Sequence, residues 1–310
     1  MAVQSEEFTD LGDEFELAAQ TAAEAGVADG GADAPRVRRG WVNVPAGGHV
    51  SGVFWGDGPP ELVLLHDSGE SARAWDAVAL ALGRPVVAID LPGHGRSDWR
   101  RDGRYEPASL TSAVAEAIRS FAPRARLVAG TGLGGLTALA LRRRHARLLP
   151  GLALVNTLPG AAPGRAWQRS GPELYVSRAQ ALAALAARRP ESSRQALRRE
   201  VLYELLQSPD GSWAWRHHPG NLPAAPDQEL TSGADPLWGE LAQLQVPAAL
   251  IRSDWAGPLA AADLAIVRQQ APQIRLIAIP GAGVDIAATQ PAALAAAFDH
   301  LLATDQVRQS

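Results

Sequence analysis

The chain has no cysteine and no lysine, and only one methionine among its 310 residues. Without cysteine it can form no disulfide, hold no metal through thiolates and use no cysteine nucleophile. No run of 18 apolar residues occurs, so we expect no transmembrane helix and no membrane partner. The chain also begins without the basic start and apolar core of a signal peptide, and we therefore expect a cytoplasmic location.

Negative charge is concentrated at one end of the chain. Residues 1–34 carry nine acidic side chains and no basic one, whereas the remainder carries 29 arginines against 24 acidic side chains. The two parts therefore carry net charges of −9 and +5. Because the acidic part also has few large apolar residues, we predict that residues 1–35 form a flexible extension. Two interpretations are open: a solvated tail, or an arm that folds over an arginine-rich surface or a partner. The remainder carries no nucleic-acid-binding motif, and we expect no nucleic-acid partner.

Short apolar runs alternate with helical patterns beyond residue 36. The runs typical of strands buried on both faces are 61–66, 85–90, 126–130, 152–156, 247–252 and 274–279. Because helices separate them, they predict an α/β fold with a mostly parallel, doubly wound sheet. Residues 157–240 interrupt this alternation and are rich in arginine and alanine. Since they follow the carboxyl end of a strand, we expect a helical cap over a ligand site, with the core formed by 36–156 and 241–310.

Several motifs in this order resemble those of the α/β-hydrolase family. They are Leu64-Leu-His66, the segment 87–98 (Val-Ala-Ile-Asp-Leu-Pro-Gly-His-Gly-Arg-Ser-Asp), the glycine-rich segment 127–136, the cap hairpin 210–216 and Ile279-Pro-Gly-Ala-Gly283. The resemblance spans about 36–303. It implies the α/β-hydrolase fold, with the cap inserted after the fourth motif-bearing strand and the nucleophile on a strand-turn-helix elbow within 127–136.

The residues that the resemblance places at the catalytic positions do not suit serine chemistry. The nucleophile position holds Gly132, the histidine position Val284 and the acid position Ala256, while Asn156 holds the alternative acid position. Hydrolysis by a Ser-His-Asp triad needs an oxygen nucleophile, a base and an orienting acid. The sequence therefore predicts an atypical member without the triad, with no acid or base assigned.

An oxyanion hole does not depend on the triad side chains, because backbone N–H groups form it. The resemblance places its donors at Ser68 and Leu133. Other candidate pocket residues are His66, Asp67, Thr131, Trp167, Trp213, Trp215 and Trp255. Among them, Asp67 stands where the family usually has glycine. The apolar residues at the triad positions and the tryptophans predict a peptidic or bulky apolar ligand. No dinucleotide or metal-ligand pattern accompanies them, so we expect no cofactor and no metal.

Three functions are compatible with these residues. A triad-less group of α/β-hydrolase-fold proteins in bottromycin-type ribosomal peptide pathways epimerises an aspartyl residue within a peptide, and the resemblance favours such a natural-product isomerase with substrate-assisted proton transfer. The second hypothesis is a non-catalytic protein that binds a ligand or product. The third is a hydrolase with a displaced nucleophile such as Ser68. The sequence leaves the oligomeric state open.

Overall fold

The computed structural model describes residues 36–45, 47–160, 174–190, 192–218, 236–254 and 259–309, together with six positions between Phe15 and Gly26. Most of the predicted extension 1–35, as well as Trp167, Trp255 and Ala256, lies outside the described residues. In the described parts no helix is long and apolar enough to cross a membrane.

Eleven strands occur in the described parts of the chain. They are β1 (Val37–Asn43), β2 (His49–Trp55), β3 (Leu62–Leu65), β4 (Val86–Ile89), β5 (Leu127–Thr131), β6 (Leu152–Val155), β7 (Leu174–Tyr175), β8 (Leu205–Gln207), β9 (Trp213–Trp215), β10 (Ala248–Ser253) and β11 (Arg275–Ile279). Eight of them form one sheet in the order β1-β2-β4-β3-β5-β6-β10-β11. β1 and β2 form an antiparallel hairpin at one edge, and β4, β3, β5, β6, β10 and β11 run parallel.

Nine α-helices accompany these strands in the same parts of the chain. They are α1 (Asp76–Leu82), α2 (Pro107–Phe121), α3 (Gly132–His145), α4 (Arg178–Arg188), α5 (Arg194–Glu204), α6 (Leu237–Ala242), α7 (Ala261–Gln270), α8 (Ile286–Thr289) and α9 (Pro291–Gln309). A 3-10 turn, Ala72–Trp75, precedes α1.

The sheet is covered on both faces, as β3 illustrates. Val63 and Leu65 belong to the hydrophobic cluster that includes α2 and α3, whereas Leu62 and Leu64 belong to the cluster that includes α1 and α9. All four side chains are fully buried, because successive residues of a strand point to opposite faces and both faces carry helices. The predicted doubly wound α/β fold is confirmed.

Residues 174–218, which we call the cap, form a separate small unit between β6 and α6. β7, β9 and β8 make a three-stranded sheet that packs with α4 and α5 around Tyr175, Leu182, Val201 and Trp215. The sequence predicted a helical insertion with a hairpin at 210–216, and β8 and β9 pair antiparallel around this segment. It missed β7, because a strand of two residues is too short to show an alternating pattern. The cap contacts the core where the His218 amide donates to the Gly93 carbonyl at 2.7 Å.

Candidate active site

Two loops leave the central sheet side by side at the carboxyl ends of β3 and β5. The strands are parallel neighbours, with Leu65 paired to Gly130. The loop after β3 begins at His66, and the chain after β5 turns at Gly132 directly into α3. The carboxyl ends of parallel strands in open α/β sheets are where ligands bind, so these loops define the candidate site.

Glycines allow the turn after β5 to be this tight. Gly132 has a φ of +45°, a backbone conformation that residues with a Cβ adopt only at a cost. A Cβ on Gly134 would lie 2.4 Å from the Leu65 carbonyl oxygen, so no side chain fits there. These glycines bring the N-terminus of α3 against the end of β3, where the Leu133 amide faces the loop that begins at His66 and the Gly132 amide donates to Thr157 Oγ1 at 2.6 Å.

The side chain of Asp67 occupies the place where the oxyanion hole was predicted. Its Oδ1 accepts hydrogen bonds from the Ser68 amide at 2.7 Å and from the Leu133 amide at 2.8 Å. A Cβ on Gly132 would lie 1.7 Å from the same Oδ1 and 2.4 Å from Oδ2. The carboxylate therefore fills the space of the side chain that Gly132 lacks, and the two residues are sterically interdependent.

His66 holds the Asp67 backbone in place. The ring is completely buried, and its Nε2 accepts from the Leu91 amide at 2.9 Å. Nδ1, which then carries the proton, donates to the Asp67 carbonyl oxygen at 2.7 Å. Both ring nitrogens are thus used by the backbone, so this predicted pocket residue positions the loop and cannot exchange a proton with a ligand.

Val284, at the predicted histidine position, and Asn156, at the alternative acid position, are hydrogen-bonded to each other. Val284 is 41% exposed, and its carbonyl oxygen accepts from Asn156 Nδ2 at 2.8 Å. Asn156 has a φ of +46°, and its Oδ1 also accepts from the Ser253 amide at 2.9 Å. This asparagine therefore ties β6 to β10 and to the loop after β11, a backbone role in place of an acid.

The remaining predicted pocket residues are separated. Trp215 is buried in the cap core against Tyr175, with ring centroids 5.9 Å apart. Trp213 lines a cavity between cap and core, where the guanidinium of Arg178 stacks on its ring at 4.2 Å. Thr131 ends β5 and is partly buried. Arginines contribute much of the wall of this cavity, and their wide spacing in the sequence gave no signal of it.

Asp90 is a buried anchor behind the candidate site. The carboxylate accepts from Arg39 Nη1 at 2.6 Å, from the Ala72 amide at 2.7 Å and from the Arg96 amide at 3.1 Å, and it contacts the Ser51 hydroxyl. Burial alone would raise the pKa of this carboxyl group, but Arg39 and the hydrogen bonds outweigh it and hold the pKa below its ordinary value.

We expect Asp90→Asn to destabilise the fold by about 3–5 kcal/mol at pH 7, because Arg39 loses its buried partner. A depressed folded-state pKa stabilises the protein above the unfolded value of about 4, and this contribution is lost as the pH falls through the folded-state pKa. Urea unfolding at pH 7 and at about pH 3 should therefore show a smaller difference between wild type and variant in acid. Exposed Asp57→Asn is the matched control, and an equal loss in both variants would contradict the anchor role.

In the described residues no group of three His, Asp or Glu side chains lies close enough to hold a metal ion.

Two relatives of this chain are named as ester hydrolases. It is 34% identical to the esterase Rv0045c of Mycobacterium tuberculosis, over 94% of this chain and 96% of that protein. It is also 35% identical to the pimeloyl-[acyl-carrier protein] methyl ester esterase of Sodalis glossinidius, over 39% of this chain and 47% of that protein. These names contradict the epimerase prediction: the proposed peptide isomerase of a ribosomal peptide pathway is wrong, and hydrolase chemistry is favoured.

Solved structures agree with this relationship. The crystal structure of esterase Rv0045c superposes with a TM-score of 0.78 at 32% identity, covering 95% of this chain and 99% of that one. E-2-(acetamidomethylene)succinate hydrolase, at 20% identity and a TM-score of 0.73, shares the fold. The sequence profile of the alpha/beta hydrolase family matches residues 62–297. The chain is therefore a member of the α/β-hydrolase family.

Proposed function

We propose that this protein hydrolyses esters of aliphatic alcohols, and that the Asp67 carboxylate replaces the serine nucleophile typical of the family. The observation that carries the proposal is the position of Asp67. Its carboxylate fills the space beside Gly132 and accepts hydrogen bonds from the Ser68 and Leu133 amides, the predicted donors of the oxyanion hole. Carboxylates are established covalent nucleophiles in other enzymes. The ester-hydrolysing relatives support the reaction class, and the residues at 132 and 284 support an atypical site without the Ser-His pair.

The hydrogen bonds of Asp67 indicate which carbon of the ester is attacked. The amides of Ser68 and Leu133 already bind Oδ1, so while they do so they cannot also stabilise charge on the carbonyl oxygen of a substrate. They are instead placed to stabilise negative charge that develops on Asp67 itself. This arrangement suits displacement at the alkyl carbon, followed by hydrolysis of an ester formed on Asp67.

The reaction then has two balanced steps. In the first, Asp67 Oδ2 bonds to the alkyl carbon while the bond from that carbon to the ester oxygen breaks, and the acid departs as its carboxylate. In the second, water attacks Cγ of the alkylated Asp67, charge passes to Oδ1 in the hole, and the alcohol leaves with a proton. The net products are a carboxylate, an alcohol and one proton. Glu70, whose Oε2 accepts from the Asp67 amide at 3.2 Å, is our candidate for the base that receives the water proton.

Ser68 is a weaker candidate for the nucleophile than the sequence suggested. The amide of Ser68 donates to the carboxylate of Asp67. Asp67, by contrast, places two oxygens in the space that a nucleophile on residue 132 would occupy. We therefore keep the hypothesis of a displaced nucleophile, but assign that role to the carboxylate of Asp67, one residue before Ser68.

Acid release from short-chain esters tests this function. We expect methyl and ethyl butyrate to be hydrolysed, whereas phenyl butyrate is not, because an aromatic carbon does not undergo backside displacement. The measurement is titration of released acid at constant pH. Hydrolysis of phenyl butyrate at the rate of the alkyl esters would contradict attack at the alkyl carbon. Failure to hydrolyse any ester, with tight binding of an ester or its products, would favour the non-catalytic binding protein.

A further inference from the structure

Thr157 lies just beyond β6, beside the turn that carries the Leu133 amide. β5 and β6 are parallel neighbours, with Thr131 paired to Val155, so the residues that follow the two strands leave the sheet side by side. Thr157 is only 4% exposed, and its Oγ1 accepts from the Gly132 amide at 2.6 Å. The hydroxyl of Thr157 is therefore in direct contact with the tight turn of the candidate site.

The hydroxyl of Thr157 is held by the backbone on two sides. It donates its one proton to the Val155 carbonyl oxygen at 2.7 Å, and its lone pairs remain to accept from the Gly132 amide. Because the hydroxyl cannot turn away without losing both hydrogen bonds, it gives the Gly132 N–H bond a fixed direction.

The direction of the Gly132 amide affects where the next amide points. Gly132 has a φ of +45°, and glycine populates other backbone conformations about as readily. The hydrogen bond to Thr157 holds the peptide unit before residue 132, and the bond from the Leu133 amide to Asp67 Oδ1 at 2.8 Å holds the unit after it. Loss of the acceptor at Thr157 would leave the first unit free to rotate and the Leu133 amide without a fixed direction.

Asn156 supports Thr157 in turn. Its φ of +46° bends the chain, so that the Thr157 hydroxyl reaches back to the Val155 carbonyl oxygen. Asparagine tolerates this left-handed conformation better than most residues with a Cβ. The Asn156 side chain is itself fixed, because it accepts from the Ser253 amide and donates to the Val284 carbonyl oxygen. The residues at the alternative acid and histidine positions of the family are therefore connected to the turn at Gly132 through Thr157.

From these contacts we propose that Thr157 is a positioning residue for the second step at Asp67, an inference that rests on the proposed ester hydrolysis. In that step water adds to Cγ of the alkylated Asp67, and negative charge passes to Oδ1. The bond from Cγ to the alkoxy oxygen then breaks, the alcohol leaves with one proton of the water, and Glu70 receives the other. The Leu133 amide stabilises the charge on Oδ1, and Thr157 keeps that amide in place.

The first step does not need this amide, because alkylation removes the charge of the carboxylate. A displaced Leu133 amide should therefore slow the second step and leave the first intact. Alkylated Asp67 then accumulates, an effect that a general loss of stability would not produce.

Thr157→Val tests this role, because valine keeps the shape of threonine and removes the hydroxyl. With ethyl butyrate we expect kcat to fall about ten-fold or more. KM should fall with it, because kcat/KM reports only the steps up to alkylation. Mass spectrometry of the quenched enzyme should show an ethyl group on the peptide that contains Asp67. Thr157→Ser keeps the hydroxyl and should recover most of kcat.

Thr111→Val is the matched control, because it removes another buried threonine hydroxyl, which donates to the Ala108 carbonyl oxygen at 2.9 Å within α2. It should change neither kcat nor the mass of the enzyme. Thermal unfolding shows whether each variant folds, and Thr157→Ala provides the same comparison if the valine variant does not. An equal fall of kcat and kcat/KM in Thr157→Val, without an ethyl group on the enzyme, would overturn the assignment to the second step.

Hydrogen exchange of the Leu133 amide, followed by NMR in the full chain without ester, separates this role from the proposed function. We expect faster exchange in Thr157→Val than in wild type, Thr157→Ser or Thr111→Val, because the amide no longer stays on Asp67. Unchanged exchange in Thr157→Val would overturn the positioning role, whatever the activity. Faster exchange in a protein that hydrolyses no ester would support the positioning of Leu133 and contradict the proposed ester hydrolysis.

Discussion

Asp67→Asn should reduce the hydrolysis of alkyl esters about 1,000-fold or more. The amide oxygen of asparagine can still accept from the Ser68 and Leu133 amides, so the loop should keep its conformation. The amide cannot act as the anionic nucleophile, so the covalent step is lost. The measurement is kcat/KM for ethyl butyrate, with Asp57→Asn, an exposed carboxylate after β2, as the matched control.

Oxygen-18 water distinguishes the possible roles of Asp67. In a single turnover, attack of water on alkylated Asp67 places the label in the Asp67 carboxylate, where mass spectrometry of the peptide detects it. Attack of water on the acyl carbon would instead label the acid product. Label in the acid alone would contradict the covalent role and leave Asp67 at most a base. If Ser68→Ala lost activity and Asp67→Asn retained it, Ser68 would be identified as the nucleophile.

Gly132→Ser, which supplies the hydroxyl typical of the family, should destabilise this protein by about 4 kcal/mol. The new Cβ would lie 1.7 Å from Asp67 Oδ1, so the carboxylate must leave the two amides. Each charge-assisted hydrogen bond lost costs about 1.5–3 kcal/mol. The left-handed backbone of residue 132 adds about 1 kcal/mol for any residue with a Cβ.

A double-mutant cycle tests whether Asp67 causes this loss. Asp67→Gly/Gly132→Ser removes the carboxylate that the serine would displace, so it should be more stable than the sum of the two single changes implies. Urea unfolding of the four proteins gives the coupling energy. Additive losses would mean that Gly132 and Asp67 are not interdependent, and would weaken the argument that they replaced a serine and a glycine together. We expect no serine-type activity from the double variant, because residue 284 remains valine.

The fold could be predicted because its signals are local. The run 61–66 contains β3, and the run 126–130 contains most of β5, since a strand buried on both faces must be apolar throughout. Helix α2 (Pro107–Phe121) begins at a proline, which suits a first helical turn. In the cap, β7 escaped prediction because it has only two residues.

The site could be predicted only in part. Family motifs placed the hole donors at Ser68 and Leu133, and both amides do point at one atom. That this atom belongs to Asp67 could not be read from the sequence, because it depends on the distance between two loops that are 66 positions apart in the chain. The same holds for the arginine-lined cavity, whose residues range from Arg39 to Arg216.

The sequence by itself therefore determined the layered α/β core, through periodicities that act over a few residues. It also determined which side chains stand at the catalytic positions of the family. Only the tertiary structure decided what surrounds these positions, because the contact of Asp67 with Gly132 and the convergence of five arginines are set by the packing of β3 against β5 and of the cap against the core. Packing brings together charges that the linear sequence separates, and their chemistry follows from that proximity.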